Sequence, residues 1–82
     1  MSDYGALRAL TARRLCAALT ADGFQLRRQR GSHRQYVHPD GRRVTVTYHH
    51  ASDTFPPGTL RSMIEVQARW TVDDLLRLGL VL

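Results

Sequence analysis

The sequence predicts an α+β domain of two layers in the order α-β-β-β-α. A three-stranded antiparallel sheet carries helices on one face, with a short extra helix at the C-terminal end. Three observations predict it. Two separate stretches, 12–19 and 60–68, repeat apolar residues at helical spacing. Between them lie three strand-like runs divided by turn residues, first Gly31 and then Pro39-Asp40-Gly41. Finally, 82 residues of which 43% are hydrophobic suffice for one core and are too few for two domains.

Taken in order, residues 1–10 form a poorly patterned N-terminal extension, in which Leu7 and Leu10 either prolong a helix or pack as an arm. Thr11 is a suitable N-cap for a helix whose stripe is Ala12, Leu15, Cys16 and Leu19. Asp22-Gly23 ends that helix, the glycine supplying the left-handed cap. Phe24 to Arg27 alternate apolar and polar, residues 32–38 form a second strand and residues 42–48 a third. Residues 49–56 read as a loop. Pro57 opens the second helix, continued by Leu60, Met63, Ile64, Gln67 and Ala68. Thr71 caps a short third helix, and Asp73 and Asp74 complement its dipole. Residues 71–82 are thus a short helix and tail, and the whole chain is one domain.

The formal net charge is +5, carried by twelve arginines and no lysine, and the isoelectric point is near 10.7. A small basic domain points to a polyanionic partner, nucleic acid before membrane surface. Arginine suits phosphate through its planar fork, although arginine without lysine also follows from GC-rich coding. Cys16 is the only cysteine, which excludes an internal disulfide and favours a small buried side chain. There is no signal peptide and no long apolar run, so the expectation is a cytoplasmic protein without membrane contact. His38, His49 and His50 lack tight ligand spacing and companion Cys or carboxylate residues, so no metal is expected. A domain this small leaves no room for a large cofactor, and none is expected.

Strand alternation sorts the side chains. In the third strand Val44, Val46 and Tyr48 point to the core, leaving Arg43, Thr45, Thr47 and His49 outward. In the second, Tyr36 points to the core and His33, Gln35 and Val37 outward. In the first, Phe24 and Leu26 point inward and Gln25, Arg27 and Gln29 outward. Paired residues share a face, so Tyr36 must pair with Val44 or Val46 through a loop of three or four residues. The shorter loop sets His33 opposite Thr47, and the longer sets it opposite His49.

That open face offers His33, His49, Arg27 and Arg43, with Arg30 and Arg34 nearby. RNA scission by the 2′-hydroxyl route needs a base, an acid and a cation at the phosphorane-like transition state. Histidine suits the proton transfers and arginine the charge. Ser32 and His33, as strand neighbours, point opposite ways, which argues against a nucleophilic relay between them. His38 beside Pro39 reads as a turn residue and His50 as loop surface. The start of the second helix, Pro56-Pro57-Gly58-Thr59 with Arg61 close by, is either plain capping or an anion site.

The runs Gly23-Phe24, Arg28-Gln29-Arg30-Gly31-Ser32-His33, Tyr36 and His38-Pro39, followed by Arg43-Val44-Thr45-Val46, His49 and Pro57-Gly58-Thr59-Leu60-Arg61-Ser62 with Ile64 and Gln67, resemble the HicA toxin signature over roughly residues 11 to 68. The resemblance implies a fold similar to double-stranded-RNA-binding domains, mRNA interferase activity, His33 as catalytic residue and a HicB antitoxin as partner. His49 is the candidate helper, and Arg27, Arg30, Arg34, Arg43 and Arg61 are the candidate RNA contacts. The chain departs from the pattern at Thr47, where proline is usual, and at Arg69-Trp70, where the second helix usually ends Gln-Ala-Gly. Two competing readings are a non-catalytic RNA-binding module and a protein-interaction subunit using Trp70 and the Leu80-Val81-Leu82 tail. Of the three, only an enzyme loses RNA cleavage on His33→Ala while keeping fold and binding.

Overall fold

The computed structural model describes residues 7–81. Residues 1–6, most of the N-terminal extension, and Leu82 lie outside the described residues. Leu7 and Leu10 do not prolong the first helix but pack onto the core. They belong to a turn closed by the Leu10 N–H donating to the Leu7 carbonyl at 3.0 Å, and both are buried in the core.

Helix α1 runs Ala12–Ala21, with the Thr11 hydroxyl accepting from the Arg14 N–H at 3.3 Å. Its stripe of Ala12, Leu15, Ala18 and Leu19 is buried. At its end Gly23 takes φ +104°, and the N–H groups of Gly23 and Phe24 reach back to the carbonyls of Thr20 and Leu19. Glycine is required twice over there, because a Cβ would also lie 2.9 Å from His38 Nε2.

Strands β1 (Gln25–Arg30), β2 (His33–Val37) and β3 (Arg43–Thr47) form an antiparallel sheet in the order β1-β2-β3. The β1–β2 turn is the pair Gly31-Ser32, with Gly31 at φ +59°. The β2–β3 loop has three residues. The His38 N–H donates to the Arg42 carbonyl, the Gly41 N–H donates to the His38 carbonyl, and Gly41 takes φ +97°. Tyr36 therefore pairs with Val44, and His33 with Thr47.

Helix α2 (Pro57–Arg61) passes directly into a π-helical stretch, Ser62–Gln67, and the Ala68 N–H bonds the Met63 carbonyl five residues back. Leu60, Met63, Ile64 and Ala68 are buried. The wider turn brings Gln67 to β3. Its Oε1 accepts the Thr45 N–H at 2.8 Å while its Nε2 donates to Ser62 Oγ at 3.0 Å. An outer-edge N–H of β3 is thereby satisfied, whereas all six residues of β1 are exposed. Helix α3 (Val72–Arg77) carries a reciprocal capping box between Thr71 and Asp74.

The core gathers the helices against Tyr36, Val44 and Val46. Leu26 does not join it. Expected inward, it stays 47% exposed, because the buried side chains come from β2 and β3 and leave edge strand β1 outside.

A polar knot ties the far end of the sheet to the helices. Asp22 accepts from Trp70 Nε1 at 2.9 Å and from Arg77 at 2.8 Å, and pairs with Arg42 at 3.3 Å. Arg42 also donates to the Ala68 carbonyl and lies over the Phe24 ring. His38 Nε2–H donates to the Asp22 carbonyl at 2.8 Å, and its Nδ1 accepts the Asp40 N–H at 3.0 Å. With both ring nitrogens engaged, His38 is a turn residue, as its place beside Pro39 predicts.

Candidate functional site

The open face of the sheet is organised by register. One row across the three strands is Arg30–His33–Thr47, and the next is Arg28–Gln35–Thr45. The second row exists because the β1–β2 register slips between Leu26 and Arg28. That bulge inserts Arg27 as an extra residue and reverses the alternation after it. Arg28 and Arg30 thus reach the face of His33, where simple alternation would have set Arg27 and Gln29.

Arg28, Arg30, His33, Arg34, Gln35 and Thr45 line an open depression of ≈ 280 Å³. Enclosed small-molecule pockets span about 300–1,000 Å³, so this shape suits part of a surface-bound polymer better than an engulfed ligand. No acidic side chain lines it. Among the described residues the side chains of Arg28, Arg30 and His33 make no hydrogen bond or ion pair, so their charge and lone pairs face solvent.

Arg34 differs. Its guanidinium carbon sits 3.7 Å from the Tyr48 ring centroid, and Nη1 donates to the Ser32 and Tyr48 carbonyls, both at 3.0 Å. It clamps the two chain segments flanking His33, those on either side of the sheet end, and, paired in register with the buried Val46, it borders the depression with its guanidinium turned to the helix side of the sheet. Behind it, burial raises the phenol pKa of Tyr36 and of Tyr48, and the neighbouring Cys16 raises both further. Both tyrosines therefore stay protonated near neutrality and offer no base.

The other sequence candidates lie apart from this depression. Arg27 is exposed at the bulge, and Arg43 pairs with Val37 one row beyond Gln35. Arg61 lies in α2 and pairs with Glu65 at 3.7 Å. His49 lies two residues past Thr47, beyond the end of β3, and its N–H, like that of His50, donates to Asp53 Oδ2 at 3.0 Å. Arg28 was absent from the sequence candidates, because no pattern in 25–30 marks the bulge. Gln35 and Thr45 were expected outward but without a role. Among the described residues no group of three His, Cys, Asp or Glu side chains could hold a metal ion, and no helix is long and apolar enough to cross a membrane.

No curated protein matches the chain. The family model described as "HicA toxin of bacterial toxin-antitoxin" matches residues 12–69, which run from the first residue of α1 to Arg69, just past the π-helical stretch, and include every residue lining the depression. That span is well over half of the 82 residues, so the chain belongs to the HicA toxin family, the toxin half of a bacterial pair whose other half is an antitoxin.

Proposed function

We propose that this toxin is a metal-independent endoribonuclease that cleaves mRNA at His33. The observation that carries the reading is the exposed His33 imidazole, set across from Arg30 in a depression lined by three arginines and by no carboxylate. A ring nitrogen of His33 takes the 2′-hydroxyl proton, and the 2′-oxygen attacks the adjacent phosphorus. The P–O5′ bond breaks, and the departing 5′-oxygen receives a proton, leaving a 2′,3′-cyclic phosphate and a 5′-hydroxyl. Arg30 stabilises the charge that builds on the non-bridging oxygens, helped by the field of Arg34. Arg27 and Arg43 extend that field along the flanking strands, and Arg61 adds a contact from α2. His49, beyond the strand that faces His33, is the second imidazole available for proton return. The partner is a HicB-type antitoxin that covers this face, and the toxin acts in the cytoplasm.

The test compares growth after induction of wild type, His33→Ala and His49→Ala, alongside cleavage of mRNA by each purified protein in excess chelator. Arrest and cleavage by wild type, with loss of both in His33→Ala, are expected. Equal arrest by wild type and His33→Ala would leave an RNA-binding module without catalysis. A smaller loss in His49→Ala assigns it the proton return, and no loss assigns that step to water.

A further inference from the structure

The two rows that line the depression differ in chemistry. The His33 row is cationic. In the next, Arg28 stands on the β1 side, and Gln35 and Thr45 supply an amide and a hydroxyl. Two strand residues separate the rows, about 6.6 Å at 3.3 Å per residue. Among the described residues neither the Gln35 amide nor the Thr45 hydroxyl hydrogen-bonds to the protein, although Gln35 is half-buried on the central strand. The Thr45 backbone, by contrast, is held by Gln67, so the row is pre-positioned and its side-chain polar groups are unspent.

An amide presents a donor and an acceptor side by side, which is what the edge of a nucleobase presents in turn. A guanidinium suits phosphate. Proteins that read single-stranded RNA commonly divide the work in this way, with cations on the backbone and polar side chains on splayed base edges. Arg28 and Arg30 stand two residues apart on the same side of the open edge strand, one in each row.

Resting on the reading of His33 as the scission residue, we infer that Arg28, Gln35 and Thr45 form a nucleotide subsite next to the scissile phosphate. Arg28 holds the adjoining phosphate of a single-stranded RNA, while Gln35 and Thr45 contact its base and set the base preference of cleavage.

The experiment has two readouts. In the first, wild type, Gln35→Met and Thr45→Val cleave a random-sequence single-stranded RNA pool, and the bases flanking each cut are counted. The ratio of bases at one flanking position is independent of overall rate. It should be skewed in wild type and fall at least threefold toward uniformity in Gln35→Met. In the second, the His33→Ala protein, bound to four short homo-oligomeric RNAs, gives a spread of Kd values with and without the same changes. Gln35→Met should narrow that spread. Arg28→Ala should instead weaken all four RNAs alike and reduce the salt slope by about 0.7, the share of one single-strand phosphate. Trp70 fluorescence confirms that each variant is folded.

No skew in wild type, a skew unmoved by both Gln35→Met and Thr45→Val, or a change only in antitoxin binding overturns the inference. If His33→Ala cleaves as wild type does, the catalytic reading fails instead, and the binding spread still reports on the row.

Discussion

Trp70 donates its indole N–H to the Asp22 carboxylate across 2.9 Å, joining the end of α1 to the residues that lead into α3. Burial alone would raise the Asp22 pKa, but the hydrogen bonds from Trp70 and Arg77 and the charge of Arg42 outweigh it and hold the carboxyl below its ordinary value. A carboxyl whose folded pKa lies below the unfolded value stabilises fully above the unfolded pKa, about 4, and loses that contribution as pH falls through the folded value. The urea midpoint, followed by the fluorescence of the single tryptophan, should therefore drop on acidification below about pH 4. Asp22→Ala should remove only its own share of that dependence, since Asp40, Asp53 and Asp74 are also held below the ordinary carboxyl value, and cost about 1–3 kcal/mol at neutral pH, because the Trp70 N–H loses its acceptor and Arg42 and Arg77 lose their partner. An unchanged midpoint in Asp22→Ala would mean that the knot contributes nothing.

Arg34 is expected to act through geometry as well as charge. Arg34→Lys keeps the cation but loses the planar stack on Tyr48 and the paired donation to the Ser32 and Tyr48 carbonyls. A stability loss of about 1–2 kcal/mol should accompany slower cleavage, read from the same urea melts and from initial rates. A variant with lower affinity for RNA and unaltered melts would identify Arg34 as a plain phosphate contact.

Arg69 takes φ +55° at the end of the π-helical stretch, a conformation that costs a residue with a Cβ about 1 kcal/mol. Arg69→Gly should raise stability by up to about 0.6 kcal/mol, the relief of strain less the added freedom of the unfolded chain. Thermal melts of the two proteins decide it, and a lower midpoint for Arg69→Gly would show that the arginine side chain outweighs the backbone.

Arg30 stands opposite His33. Arg30→Ala should weaken binding of a 2′-deoxy-substituted, uncleavable RNA and lower the slope of log K against log salt by about 0.7. Arg61→Ala, on α2 and beside Glu65, should lower it less. Equal slopes for the two variants would remove Arg30 from its special place.

Much of this molecule was legible in its residues, and the illegible parts have definite causes. Thr11 and Gly23 mark both ends of α1 because capping chemistry is local. Strand parity left a choice of three or four loop residues after Tyr36, and Gly41 decides for three by adopting the left-handed conformation that a three-residue hairpin loop needs. The bulge in β1 could not be read, because Gln25-Leu26-Arg27-Arg28-Gln29-Arg30 holds one apolar residue and so carries no alternation to break. That single omission moved Arg28 out of view. The π-helical stretch was hidden for the opposite reason, since Met63, Ile64 and Gln67 satisfy ordinary helical spacing equally well. The Asp22 knot joins residues up to 55 positions apart, and no local pattern announces such a meeting.

With the Thr45 N–H occupied by the Gln67 side chain, β3 is poorly disposed to recruit another strand, while β1 keeps its outer rim of backbone donors and acceptors. A bare rim of this kind is how sheet proteins come to stick to one another in rows. On β1 that rim bears Arg27, Arg28 and Arg30, whose mutual repulsion keeps like molecules apart. Charge on that edge thus opposes self-association, and replacing Arg27, Arg28 and Arg30 with neutral residues should yield a protein that precipitates more readily than His33→Ala.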